Sequence, residues 1–234
     1  MRTFLWCLLF SALYGCPPAR AEDIAQVLQR SQQWRLQQRP APDLQSTASA
    51  RVRTSFERIQ QLDPRAADVK LQIVGGELFA EAVFGERTLV VSENTGELPE
   101  GERLLMLAHE VGHLMLGHWG SLSALYRSHI PGAVRPETTD PVARKLSVDA
   151  QALSHRQEFE ADGYGFALVR KMGFGLDNAF GLLTRHGLQF DSPTHPGTRR
   201  RLAQLRVMDA QATRPLVSPG ETDAVASHQA GEAR

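Results

Sequence analysis

The chain is poor in cysteine. Its 234 residues include two, Cys7 and Cys16, both close to the N-terminus. Everything downstream of Cys16 has no disulfide of its own, so the fold must be held by an apolar core, which a 42% hydrophobic composition can supply. An excess of one charge is missing as well. Lys plus Arg and Asp plus Glu both number 26, which removes the bulk attraction that nucleic-acid binding relies on. No internal repeat is visible, and no long apolar run follows the N-terminal segment, so no membrane-spanning helix is expected in the rest of the chain.

What that N-terminal segment holds is a charged residue, Arg2, and then the apolar stretch Thr3 to Leu13, too short to cross a bilayer. Pro17 and Pro18 end it, and Ala19-Arg20-Ala21 has the small-x-small form of a signal-peptidase site. Leu13-Tyr14-Gly15-Cys16 resembles a lipobox, which would leave a lipidated Cys16 and membrane association. Tyr14 is bulkier than the small residue usual there, which favours cleavage after Ala21. Either route predicts export, with the periplasm as destination and an outer-membrane lipoprotein as the alternative.

The decisive motif is His109-Glu110-Val111-Gly112-His113. In a helix, residues four apart share a face, so His109 and His113 can bind one Zn²⁺ while Glu110 lies beside it as a candidate general base. Leu104, Leu105, Leu107, Ala108, Val111, Leu114, Met115 and Leu116 make the surrounding helix one that belongs in a core, where polar groups need partners or a metal. A catalytic zinc keeps three protein ligands and one open position. The spacing that takes a third histidine six residues on fails, because Leu116 and Trp119 occupy its glycine and histidine positions. The gluzincin spacing, Glu-x-x-x-Asp on a later helix, is met by Glu158 and Asp162. Glu158 is thus the predicted third ligand. Asp162 is predicted to accept the free ring N–H of a zinc histidine, His109 in first place. Glu160 points away from that face and is left to a solvated or structural role.

Taken in order, HEVGHLMLGH, EFEADGYG and SPTHPGTRRRL resemble the zinc metallopeptidases of the CAAX prenyl protease 1, HtpX and BepA type, over about Leu71 to Leu205. The resemblance implies a mostly helical α+β gluzincin-like domain with a small sheet beside the zinc helix. It implies one Zn²⁺ on His109, His113 and Glu158, with Glu110 as general base. It places His195 near the metal, either stabilising the tetrahedral intermediate or occupying the open position at rest. It gives Arg201 a supporting or substrate-orienting role and leaves His118 structural. The chain departs from the family at Gly76 to Ala82, which lacks the family's asparagine. It also lacks the several spanning helices of the integral-membrane members.

Periodicity predicts helices over Asp23 to Gln38, with Ile24, Val27, Leu28 and Trp34 as apolar contacts, and over Arg51 to Leu62, with Val52, Phe56 and Ile59. Strands are expected over Val69 to Val74, Glu77 to Phe84 and Thr88 to Ser92. The last is the candidate edge strand for binding extended substrate, or else a plain structural strand. The zinc helix is expected from Gly101 to His118. Gly120 to Pro141 reads as a loop, either a lid or disorder. Helices follow over Val142 to Met172, Phe174 to His186 and Arg199 to Met208, the last opened by Pro196, and then a polar, disordered tail over 209–234. His129, His155, His186 and His228 lack ligand spacing and read as surface or structural. The function predicted is an exported zinc metalloendopeptidase acting on polypeptide, with misfolded envelope proteins as the substrate suggested by analogy. A dedicated processing peptidase and a non-catalytic zinc-containing chaperone module are the alternatives, and the intact Glu110 argues against the latter.

Overall fold

The computed structural model describes residues 22–213. The N-terminal segment with Cys7 and Cys16, and residues 214–234 with His228, lie outside the described residues. Helices and a three-stranded sheet pack around one main core. The class is the expected mostly helical α+β. Among the described residues no helix is long and apolar enough to cross a membrane.

Helix α1 (Ile24–Gln37) starts at Asp23, whose carboxylate accepts from the Gln26 N–H while the Gln26 side chain accepts from the Asp23 N–H. It buries Ala25, Gln32 and Leu36. Trp34, expected among its contacts, is 65% exposed. It sits two residues from both Gln32 and Leu36, about 200° round the helix from each, so it faces water. Helix α2 (Thr47–Leu62) begins earlier than its apolar pattern does, because Ser46 caps it through the Ser49 N–H. Val52, Phe56 and Ile59 are buried in the core.

The sheet contains β1 (Lys70–Val74), β2 (Ala80–Ala82) and β3 (Thr88–Ser92) in the order β1-β3-β2. Strand β3 runs parallel to β1 and antiparallel to β2, so it is the central strand and not the free edge. Its unbroken buried run Leu89-Val90-Val91 is the signature of a strand covered on both faces. The free edge belongs to β2, the short remnant of the strand expected over Glu77 to Phe84. Gly76 (φ +99°) and Gly85 (φ +73°) make the turns on either side of it.

Helix α3 (Glu100–Met115) packs lengthwise on α6 (Ala143–Lys171). Leu104, Leu107, Ala108 and Val111 of α3 and Ala161 and Val169 of α6 are fully buried between them. Each large apolar side chain so buried contributes about 1.5–3 kcal/mol. The axes approach closely because Gly165 lies against α3. A Cβ there would stand 2.9 Å from the His109 nitrogen and 3.2 Å from the Ala108 carbonyl carbon.

Three expectations about the C-terminal half are corrected. Helix α3 stops at Met115, and Gly117 (φ +66°) turns the chain into α4 (His118–His129), so His118 opens a new helix. The expected loop over Gly120 to Pro141 is largely helix: proline is absent until Pro131, and Pro136 then opens the short α5 (Pro136–Thr139). Helix α6 ends at Lys171 with Gly173 (φ +88°) just beyond it, as expected, and α7 (Leu176–Thr184) follows. The last helix, α8, spans Thr198–Thr213, starting after Pro196 and continuing beyond Met208. Asp209 there is tied to α6 by the Arg170 guanidinium, which holds a polar stretch in helical form.

Candidate metal centre

Three side chains converge where α3 crosses α6. His109 and His113 Nε2 are 3.1 Å apart, His109 Nε2 is 3.4 Å from Glu158 Oε2, and His113 Nε2 is 3.3 Å from Glu158 Oε1. Donors bound to one tetrahedral zinc at 2.0–2.1 Å stand about 3.3 Å from each other. The ring orientations fit as well. His109 Nδ1–H donates to Asp162 Oδ1 at 2.9 Å, and His113 Nδ1–H donates to His118 Nδ1 at 2.8 Å. With both rings neutral, the two Nε2 atoms present lone pairs to each other, an arrangement that a cation between them relieves. Glu158 Oε2 is buried and accepts no hydrogen bond, an orphan that a metal would satisfy.

The local charge points the same way. Glu110, Glu158 and Asp162 face one guanidinium, Arg201. Burial alone would raise the Glu158 and Asp162 carboxyls, but their partners hold both below the usual carboxylate range: His109 and His113 for Glu158, Arg201 and His109 for Asp162. Burial disfavours a charged His109, yet Asp162 and Glu158 together raise it to about 10. The pocket draws positive charge, and a divalent ion answers that demand with its charge between all three donors.

Each donor is braced from behind. Arg201 of α8 grips Asp162 with Nε and Nη2 at 2.7 and 2.5 Å, so α8 holds the carboxylate that orients His109. On the other side, His118 Nε2–H donates to Glu160 Oε2 at 3.1 Å, making a chain Glu160–His118–His113. Gln157 Nε2 donates to the His118 carbonyl and fixes the start of α4. Burial and the neighbouring His113 push the His118 ring down to about 4, so it stays neutral and can accept through Nδ1.

Glu110 lies at the mouth. Its Oε2 accepts from the Ala82 N–H on the edge of β2 at 2.9 Å, and its Oε1 is 4.0 Å from His109 Nε2. His195, 58% exposed, stands 3.6 Å from Glu158 Oε1. It projects from a turn closed by Ser192, whose hydroxyl accepts from the His195 N–H at 2.9 Å. His155 pins that turn by donating to the Ser192 carbonyl at 2.7 Å, a structural use of a buried histidine. His129 pairs with Asp149, and His186 is exposed.

The cleft beyond Glu110 encloses about 480 Å³ between β2, α4 and the His195 turn. Its apolar wall is the stacked pair Phe84–Trp119 (ring centres 4.2 Å apart) with Leu114 and Leu122. The structure brings together the residues expected from spacing, His109, Glu110, His113, Glu158 and Asp162, and the two expected from the resemblance, His195 and Arg201. Not legible in the sequence were the Glu160–His118 brace and the Ala82 contact. The histidine five residues past His113 was the available signal for the former, but an unbroken helix would have turned it away from His113.

The sequence profile of Peptidase family M48 matches residues 79–209. Among solved structures, the crystal structure of S. mikatae Ste24p is similar to this chain at 17% sequence identity and a TM-score of 0.45. The similarity covers 64% of this chain and 49% of that one, so the chain spans about half the length of Ste24p. No curated protein matches the chain.

Proposed function

Since the chain belongs to peptidase family M48, a family of zinc metallopeptidases, we propose that this cleft is the active site of a zinc metalloendopeptidase acting on extended polypeptide. His109, His113 and Glu158 would hold the metal and Glu110 would move the proton. The observation that carries this reading is the donor triangle of 3.1, 3.3 and 3.4 Å, with the outer ring nitrogens of both histidines already committed elsewhere. When bound, zinc supplies Lewis acidity to a water and to the scissile carbonyl. Glu110, with Oε2 held by Ala82, takes the proton of the attacking water and later returns it to the leaving amine. Asp162 and Arg201 keep the His109 ring in its orientation throughout. His195, on its exposed turn, donates to the oxyanion of the tetrahedral intermediate.

The free edge of β2 receives the substrate as an added strand. Phe79 and Val83 bond to β3, so the alternate residues Ala80 and Ala82 turn their peptide groups outward; Ala80 offers its own to the substrate, while the Ala82 N–H is held by Glu110. The Phe84–Trp119 wall suits a large apolar side chain. Such a site acts on unfolded chains. Combined with the targeting character of residues 1–21, it supports a role outside the cytoplasm in clearing misfolded envelope proteins. A carboxylate held at the metal is superfluous to pure binding, which sets aside the chaperone-module reading.

The test compares wild type with Glu110→Gln, both verified as zinc-loaded, on casein. The variant should keep its metal and lose about 10²–10⁴-fold in rate. Wild-type turnover by that variant would remove Glu110 from the mechanism, and intact casein with both proteins would remove the peptidase reading.

A further inference from the structure

The free edge of β2 is not open along its whole length. Gln32 of α1, 3% exposed, donates from Nε2 to the Ala82 carbonyl at 3.0 Å and accepts at Oε1 from the Phe84 N–H at 2.7 Å. These are the outward peptide groups that an added strand would use after Ala80. The primary amide of a glutamine has the donor and acceptor of a peptide group, and here it is placed as one residue of such a strand. Its remaining N–H donates to Glu81 Oε1 at 2.7 Å, and Arg35 clamps the same carboxylate at 2.8 and 2.7 Å. Two acceptors and one donor around it leave a single orientation for the amide.

We propose that Gln32 is a groove stop: it ends the substrate strand after Ala80, so that the cleft accepts a long extension of the polypeptide on one side of the scissile bond and a short one on the other. The proposal rests on the peptidase reading above and names which bonds that endopeptidase would favour, namely those with little chain on one side over those deep within a chain. Helix α1 is a fixed wall here. Arg127 of α4 holds Asp23 at its N-terminus, beside a bridge between Asp23 and Ala133. Beyond its C-terminus the Pro40 carbonyl accepts from the Gly75 N–H at 2.7 Å. The helix also lies outside the segment that matches the family profile, residues 79–209. Covering an edge strand against aggregation would need only bulk or charge. A buried amide matched group for group to two peptide units does more than cover it.

The experiment uses the zinc-loaded protein and blocked peptides built around one bond that it cuts in casein, lengthened by four residues on one side or on the other. Wild type should lose about tenfold or more in kcat/KM for extension on one side only, the scale of two peptide hydrogen bonds at roughly 1 kcal/mol each. Gln32→Ala, and the milder Gln32→Ser should the first fold poorly, should erase that asymmetry while cutting the short peptide at the wild-type rate. Equal tolerance of both extensions by wild type, or an asymmetry that survives in both variants, overturns the stop. A uniform rise for all lengths also overturns it, because that marks a gate and not a stop. Binding in the Glu110→Gln background, by fluorescence anisotropy of a Leu-centred blocked peptide lengthened one side at a time, reads the same asymmetry without chemistry. A protein that cuts nothing but still binds asymmetrically would sink the peptidase reading and leave the groove stop standing.

Discussion

The two histidines that face the candidate metal are braced in opposite ways. Behind His109 stands a buried carboxylate, Asp162, itself locked by the largely covered Arg201. Behind His113 stands a neutral imidazole, His118, and only then a carboxylate, Glu160, whose side chain is 49% exposed. Both arrangements accept a ring N–H and fix the tautomer that points Nε2 inward. They differ in what each commits to the interior. The His109 side buries an ion pair that stands only while both partners are present, and the His113 side buries one uncharged ring and leaves its charge near water. The lesson is that orientation needs an acceptor, while a strong pull on the ligand needs a buried charge.

The largest expected effect breaks the charged side. Asp162→Ala leaves Arg201 in the interior without its partner and His109 Nδ1–H without an acceptor. Stability should fall by about 3–5 kcal/mol in urea unfolding. Zinc affinity, by competition with a chelator, should fall about 10–100-fold. An Asp162→Ala protein with unchanged metal affinity would mean that the ion pair serves the α6–α8 contact and not the site. Next comes the approach of the two helices that makes the charged brace reachable. Gly165→Ala places a methyl group 2.9 Å from the His109 backbone nitrogen, and the helices must separate. A loss of about 1–3 kcal/mol should follow, with weakened zinc binding. Full stability would show that the helices have slack there.

Much of the charged side was legible in the sequence, and the neutral side was not. Helical spacing alone puts His109 with His113 and Glu158 with Asp162, because period is a local property and each pair lies on one helix. The brace at His118 depends on where α3 stops. The apolar pattern runs on through Leu116, and only the positive φ at Gly117 turns His118 back toward His113. Of the two readings open for Thr88 to Ser92, the plain structural strand holds and the edge strand does not, for a related reason. Strand order in a sheet is set by tertiary packing, and β3 carries the stronger strand pattern because it is the central one. Gln32 left no trace either, since a glutamine on an amphipathic helix reads as solvent-facing until the sheet it meets is known.

The neutral side makes a smaller prediction. His118→Ala deprives the His113 Nδ1–H of its acceptor, and a water entering the vacated space can replace part of it. Zinc affinity should fall by about tenfold, the low end of what an outer-shell partner contributes, and the same competition assay reads it. A loss as large as that of Asp162→Ala would erase the distinction between the two sides.

Glu160→Gln should do least, and it tests the distinction most finely. Its carboxylate acts on the metal only through the His118 ring, from a position where water screens it. The glutamine oxygen can still accept from His118 Nε2–H, so the tautomer survives and zinc affinity should move by about threefold or less. In a His118→Ala background the same change should have no effect at all, because its one route to His113 is gone. A Glu160→Gln effect that persists there would mean the carboxylate acts on the metal through space. The His113 side would then be a charged brace like the other, differing only in its distance from water.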